Sequence, residues 1–183
     1  MTAAASWWIR PQQPAARLGL KGPDAAHLLQ DAGIAIPETP NAVRRSGVAS
    51  LPGLDRCLRL GNSEFLLEQD QGSDAIERIR SLANTAAMRA WCVLRSDYSA
   101  LIGGTALFDQ LARISSFDFE RLLHTPDQVV MTLCADISAT LVLDGAGPAP
   151  ELRLWADASF GPYLEQTLHS LSTITASSHG EPA

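Results

Sequence analysis

The stretch Arg56-Cys57-Leu58-Arg59-Leu60-Gly61-Asn62-Ser63-Glu64-Phe65-Leu66-Leu67-Glu68 decides the reading of the fold. Its first five residues alternate, with Leu58 and Leu60 on one face, as a strand requires. Gly61-Asn62-Ser63 is a turn signal, and Glu64 to Glu68 is the returning strand, so the segment reads as a hairpin. Ser73 then caps a helix in which Ile76, Ile79 and Leu82 or Ala83 share one face. Upstream, Ala16 to Leu20 is a short strand. Gly22-Pro23-Asp24 opens a helix bearing Leu28 and Leu29, Gly33 ends it, and Pro37 and Pro40 enforce a loop.

The downstream half follows the same order. Trp91 to Arg95 and Ser99 to Ile102 are extended, and Gly103-Gly104-Thr105 opens a helix carrying Leu107, Phe108, Leu111 and Ala112. Phe117 to Leu123 is an amphipathic connector. Val129 to Leu133 and Ile137 to Leu143 are strands, the latter with Ile137, Ala139, Leu141 and Leu143 on one face. Asp144-Gly145 reads as a turn, and Gly147, Pro148 and Pro150 lengthen the loop. Glu151 to Trp155 is a strand, and Leu164, Leu168 and Leu171 mark a final helix. Leu20-Lys21-Gly22 corresponds to Ile102-Gly103-Gly104, and Glu64-Phe65-Leu66-Leu67 to Glu151-Leu152-Arg153-Leu154. This is an internal duplication with a period of about 85 residues.

Strands followed by helices, with tight hairpins between, give an α+β fold. It has two related strand–helix–strand–strand–helix halves, with antiparallel or mixed sheets and helices on one face. The organisation expected is an N-terminal arm over 1–14, a globular α+β domain over 15–174 with halves at about 15–86 and 90–174, and a flexible tail over 175–183.

Composition narrows the function. The chain has 183 residues, 46% of them hydrophobic and 19% charged, enough for a core without disulfides. A net charge of −6 argues against nucleic-acid binding, and Arg44-Arg45 reads as a solvated turn rather than a phosphate clamp. Cys57, Cys92 and Cys134 are an odd count, widely spaced, which suits a reducing compartment. The first residues lack the pattern of a signal peptide, and no apolar run approaches the roughly 20 residues of a membrane span. The expectation is a cytoplasmic protein.

No catalytic, cofactor-binding or metal-ligating residue is assigned. There is no CxxC, HExxH, GxSxG, GxGxxG or P-loop. His27, His124, His169 and His179 are scattered, and Gly103-Gly104-Thr105 reads as a tight turn with a cap. Asp97, Asp118, Asp136 and Asp157 stand at structural transitions. Asp97 could be a binding carboxylate, but a turn residue accepting backbone N–H groups is favoured. The one local hint of an interaction is Trp7-Trp8. Adjacent side chains of an extended segment point opposite ways, so one indole must be exposed or covered by something else. Tryptophan is enriched at interface hot spots, which makes Trp7 and Trp8 candidate partner-docking residues. The alternative is an arm that wraps back on its own domain.

Arg17-Leu18-Gly19-Leu20-Lys21-Gly22-Pro23-Asp24-Ala25-Ala26, Ile36-Pro37-Glu38-Thr39-Pro40-Asn41 and Leu58 to Leu67 together resemble the gamma subunits of heterotetrameric sarcosine oxidase. Arg95-Ser96-Asp97-Tyr98 followed by Gly104, and Leu152-Arg153-Leu154-Trp155, continue the likeness, which spans about residues 14 to 172. The resemblance implies a non-catalytic subunit of a complex that oxidatively demethylates sarcosine to glycine, passing the methyl carbon to tetrahydrofolate. It implies larger alpha and beta subunits that hold FAD, FMN, NAD and tetrahydrofolate, and a small delta subunit. It also implies a fold like the folate-binding domain of the glycine-cleavage aminomethyltransferase. The Asn-x-x-Gly-x-x-x-Asp stretch that carries the catalytic Asp of those transferases is absent, so no catalytic residue is carried over. A stand-alone folate-binding or aminomethyltransferase-like protein, and a gamma-like subunit of a related N-methyl amino acid dehydrogenase, are the alternatives.

Overall fold

A computed structural model describes residues 6–12, 16–45, 53–85 and 87–177. Among the described residues, ten strands and four α-helices follow the order β1 (Trp8–Pro11), β2 (Arg17–Lys21), α1 (Ala25–Asp31), β3 (Ala42–Arg45), β4 (Leu54–Arg59), β5 (Glu64–Gln69), α2 (Ala75–Thr85), β6 (Trp91–Arg95), β7 (Tyr98–Gly103), α3 (Leu107–Leu111), β8 (Val129–Cys134), β9 (Ile137–Gly145), β10 (Glu151–Ala156) and α4 (Gly161–Ser177). A 3-10 helix, Phe119–Leu123, forms the connector before β8. They build two five-stranded sheets, ordered β3-β4-β5-β2-β6 and β1-β7-β10-β9-β8. The pairings run antiparallel. The α+β reading with duplicated halves is the observed architecture, and of the two sheet types expected the antiparallel one is realised.

The chain forms two compact units, one holding β2–β6 with α1 and α2, the other β1 and β7–β10 with α3 and α4. In the first, Leu18 and Leu20 of β2, Phe65 and Leu67 of β5 and Cys57 of β4 turn one face to Leu28 and Leu29 of α1 and Ile76 and Ile79 of α2. Each such side chain contributes about 1.5–3 kcal/mol on burial. Ala83 packs at the margin of this core, while Leu82 stays outside it, 39% exposed. In the second unit, Ala139, Leu141 and Leu143 of β9 and Leu152 and Leu154 of β10 meet Leu164, Leu168 and Leu171 of α4.

The halves match atom for atom at their glycines. Gly22 and Gly104 end β2 and β7 with φ of 140° and 122°. Their N–H groups donate to Ser63 O at 2.9 Å and Pro150 O at 3.2 Å. A Cβ on Gly22 would stand 2.1 Å from Arg89 O, and one on Gly104 2.2 Å from Ser6 O. Only glycine admits so close a crossing strand.

That crossing revises the expected organisation. Residues 8–11, expected within an arm, form strand β1, paired with β7 in the register Trp8↔Gly103, Ile9↔Ile102, Arg10↔Leu101 and Pro11↔Ala100. The equivalent strand of the second half, β6, pairs with β2 as Trp91↔Lys21, Cys92↔Leu20, Val93↔Gly19 and Leu94↔Leu18. Each half thus sends its first strand into the sheet of the other. Arg44 and Arg45, expected in a turn, belong to β3, where Arg45 Nη1 lies 2.6 Å from Asp127 Oδ1. Asp144 and Gly145 continue β9 instead of turning, with Gly145 opposite Glu151. Of the expected tail, 175–177 continue α4 and 178–183 lie outside the described residues.

Candidate functional site

Trp7 and Trp8 occupy opposite sides of the sheet edge, as successive residues of an extended segment must. The Trp7 indole Nε1–H donates to Leu168 O at 3.0 Å and packs on the core beneath α4. Trp8 lies against Gly103 on the other face, and the Arg10 guanidinium carbon sits 4.0 Å from its ring centroid. Both indoles are half-buried and both are engaged by their own unit.

Trp91 is the tryptophan that stands open. It is 61% exposed, its neighbours Val93 and Leu94 are 60% and 55% exposed, and all three belong to β6, an edge of its sheet. Trp91 and Val93 share one face, Leu94 the other. The strand is anchored at its start. Arg89 N donates to Asp24 Oδ2 at 2.9 Å, and its guanidinium reaches both Asp24 oxygens at 3.3 Å. These bonds, the backbone one foremost, hold the Asp24 carboxyl below its ordinary pKa. Cys92 turns inward onto the core, and burial raises its thiol pKa. The sequence placed a strand here and singled out none of Trp91, Val93 and Leu94. The available signal was that Trp91-Cys92-Val93-Leu94 is apolar at four successive positions, where an edge strand ordinarily alternates or carries charge.

Of the polar candidates from the sequence, Asp118 and Asp157 hold turns. Asp118 accepts from Glu120 N at 3.2 Å and Asp157 from Ser159 N at 2.9 Å, each closing a 3-10 turn. Asp136 takes a φ of 63° in the β8–β9 turn, and Asp97 lies in the short link between β6 and β7. Thr105 Oγ1 accepts from Ser6 N at 2.8 Å, so Gly103-Gly104-Thr105 receives the N-terminal segment. His27 lies 3.7 Å from Asp31, and the three cysteines are free thiols. Burial pushes Cys57 up to about 12 and Cys134 to about 11. Among the described residues no three His, Cys, Asp or Glu side chains converge as a metal site would need. Nor is any described helix long and apolar enough to cross a membrane.

Two polar features lay beyond sequence reading. Glu68 sits between Arg17 and Arg56, with Nε–O distances of 3.9 and 3.6 Å, on the face of its sheet turned away from Leu18 and Leu67. All three are buried. A cleft of about 420 Å³ runs along β3, lined by Pro37, Glu38, Arg44, Arg45 and Asp127 among others.

No protein-family model matches the chain, and no curated protein does. Solved structures do. The fold is that of the glycine cleavage system aminomethyltransferase T from Bartonella henselae: TM-score 0.65 at 15% identity, covering 90% of this chain and 45% of that one. It is also that of a chain in the heterotetrameric sarcosine oxidase from Corynebacterium sp. U-96, in complex with pyrrole 2-carboxylate. There the TM-score is 0.73 at 20% identity, covering 97% of this chain and 88% of the other.

Proposed function

We propose that this chain is the gamma-type subunit of a heterotetrameric complex of the sarcosine oxidase kind, working in the cytoplasm. It docks onto larger alpha and beta subunits, alongside a small delta subunit, and supports oxidative demethylation of sarcosine to glycine with transfer of the methyl carbon to tetrahydrofolate. In this reading FAD, FMN, NAD and tetrahydrofolate are held by the partners, and the chain has no active site of its own.

The observation that carries the reading is the scale of the match. The chain aligns over 97% of its length with 88% of a chain from the sarcosine oxidase assembly, but with only 45% of the aminomethyltransferase. The exposed apolar edge supports it further, since Trp91 and Val93 stand side by side on one face of it and adjoining exposed apolar side chains mark association sites.

The test is affinity purification of the tagged chain from its native cytoplasm, with an absorbance spectrum and a sarcosine oxidation assay of the eluate. Co-purifying larger subunits with flavin absorbance and sarcosine-dependent peroxide formation are expected. A colourless eluate holding this chain alone would refute the reading. Titration of that isolated chain with tetrahydrofolate would then test the folate-binding alternative.

A further inference from the structure

We infer that strand β6 is a docking edge that receives an extended, apolar-faced strand from a larger partner subunit, adding a sixth strand to its sheet and covering Trp91. The inference rests on the docking reading above and names the surface and the kind of segment that covers it.

The duplication supplies an internal comparison. β1 and β6 are the same strand of the repeat, and each lies at a sheet edge. Natural proteins blunt such edges with proline and charge, because unpaired N–H and C=O groups recruit further strands. β1 is blunted in this way. Arg10 covers the Trp8 ring at 4.0 Å, and Pro11 removes a donor from the end of the strand. In β6 the corresponding residues are Val93 and Leu94, and every position from Trp91 to Arg95 keeps its N–H. Among the described residues no guanidinium stacks on Trp91. At this one position of the repeat, β1 is closed by Arg10 and Pro11, while β6 presents Trp91, Val93 and Leu94 and ends in Arg95.

Charge and area decide the occupant. Three cations flanking the edge are matched, Lys21 with Glu64 at 3.1 Å, Arg89 with Asp24 at 3.3 Å and Arg80 with Glu77 at 2.9 Å, and the strand itself ends in the exposed Arg95. An edge whose exposed positions are mainly Trp91, Val93 and Leu94 favours an apolar segment over a phosphate-bearing ligand. A second copy of this chain fits poorly. Each copy carries −6, so two repel. An aromatic side chain contributes about 150–250 Å² when wholly buried, so three partly exposed side chains offer a few hundred Å². That is well under the roughly 800 Å² per partner of a stable complex. The edge by itself is too small for any partner, so the occupant must also cover surface beyond it, which a subunit larger than this chain, without the −6 of a second copy, is suited to do. Strand addition is a recurrent recognition mode in which main-chain bonds supply affinity and alternate side chains supply specificity.

The experiment is hydrogen exchange by mass spectrometry on the full chain, free and within the purified complex, together with assembly of Val93→Lys. Residues 91–95 are expected to exchange about tenfold or more slowly in the complex, a shift of about 1.4 kcal/mol in opening. Val93→Lys, at an exposed position, is expected to melt like the wild type when free and to bind roughly tenfold more weakly. A complex that forms with unchanged exchange at 91–95, and takes up Val93→Lys at the wild-type level, overturns the docking edge and leaves the subunit reading standing. No complex with the wild-type chain overturns both. A free chain that dimerises, and that Val93→Lys returns to monomer, makes the occupant a second copy and overturns the partner assignment. The exchange measurement needs only wild-type protein, so it decides even if the variant misfolds.

Discussion

Replacing Glu68 with Gln removes one negative charge and almost no volume from between two buried guanidiniums. The Arg17 and Glu68 side chains are 0% and 4% exposed, so solvent cannot screen the change. At an effective dielectric constant of about 20, a charge pair near 4 Å is worth about 4 kcal/mol, and Glu68 makes two such contacts at 3.9 and 3.6 Å. Against this stands the cost of holding the carboxylate out of water, which glutamine relieves. Asp55 also remains beside Arg56, accepting from its Nε at 2.7 Å. The net loss on breaking a buried pair is about 3–5 kcal/mol. For a chain of this size that lowers the Tm by roughly 6–20 °C. Urea unfolding followed by circular dichroism, with calorimetry for Tm, measures it. A joint replacement, Arg17→Met with Glu68→Leu, should recover part of the loss, because it removes both charges of that pair and leaves Arg56 its contact with Asp55. A loss under about 1 kcal/mol in Glu68→Gln would refute the reasoning, since it would mean that water reaches the pair as it does at the surface.

Gly104→Ala should cost several kcal/mol by the same kind of measurement, because its Cβ would fall 2.2 Å from the Ser6 carbonyl oxygen at a φ of 122°; an unchanged Tm would mean that the strand crossing is looser than described. Asp136→Gly should instead stabilise, by roughly 0.5–1 kcal/mol, since Asp136 holds a φ of 63° in a two-residue hairpin turn that glycine adopts without strain. Stability should fall as pH rises above about 9. Cys57 and Cys134 have pKa values raised by burial to about 12 and 11, so the folded chain holds protons that the unfolded chain has released, and each group adds a slope of up to about 1.4 kcal/mol per pH unit. A denaturation midpoint flat from pH 8 to 11 would contradict this. In acrylamide quenching, Trp91→Phe should remove the most accessible fluorescence, because Trp155 is buried and Trp7 and Trp8 are half-covered; equal quenching in the variant would place the exposed indole elsewhere.

Local pattern was enough for most of the elements. Alternation at Leu58 and Leu60, the Gly61-Asn62-Ser63 turn, Ser73 as a cap and the Leu164-Leu168-Leu171 stripe are short-range properties, and each corresponds to an observed element. The paired Gly22 and Gly104, read from sequence as the mark of a repeat, are equivalent positions in three dimensions. Arg44 and Arg45 misled because strand β3 is short, and its pairing with β4 and with the segment around Asp127 comes from distant residues.

The α+β class, the duplication and the apolar stripes that become the two cores were all written in the chain, because periodicities of 2 and 3.6 are set by backbone geometry within a few residues. Which strand pairs with which was not. β1 and β6 each have a nearer sheet in sequence and join the other, a choice made by hydrogen-bond partners and packing tens of residues away. That exchange sets Trp8 and Trp91 at equivalent sheet edges, where Trp8 is half-buried and Trp91 open. Two tryptophans at equivalent positions of one repeat thus differ in exposure through the residues beside them in space, Arg10 over one and no guanidinium among the described residues over the other.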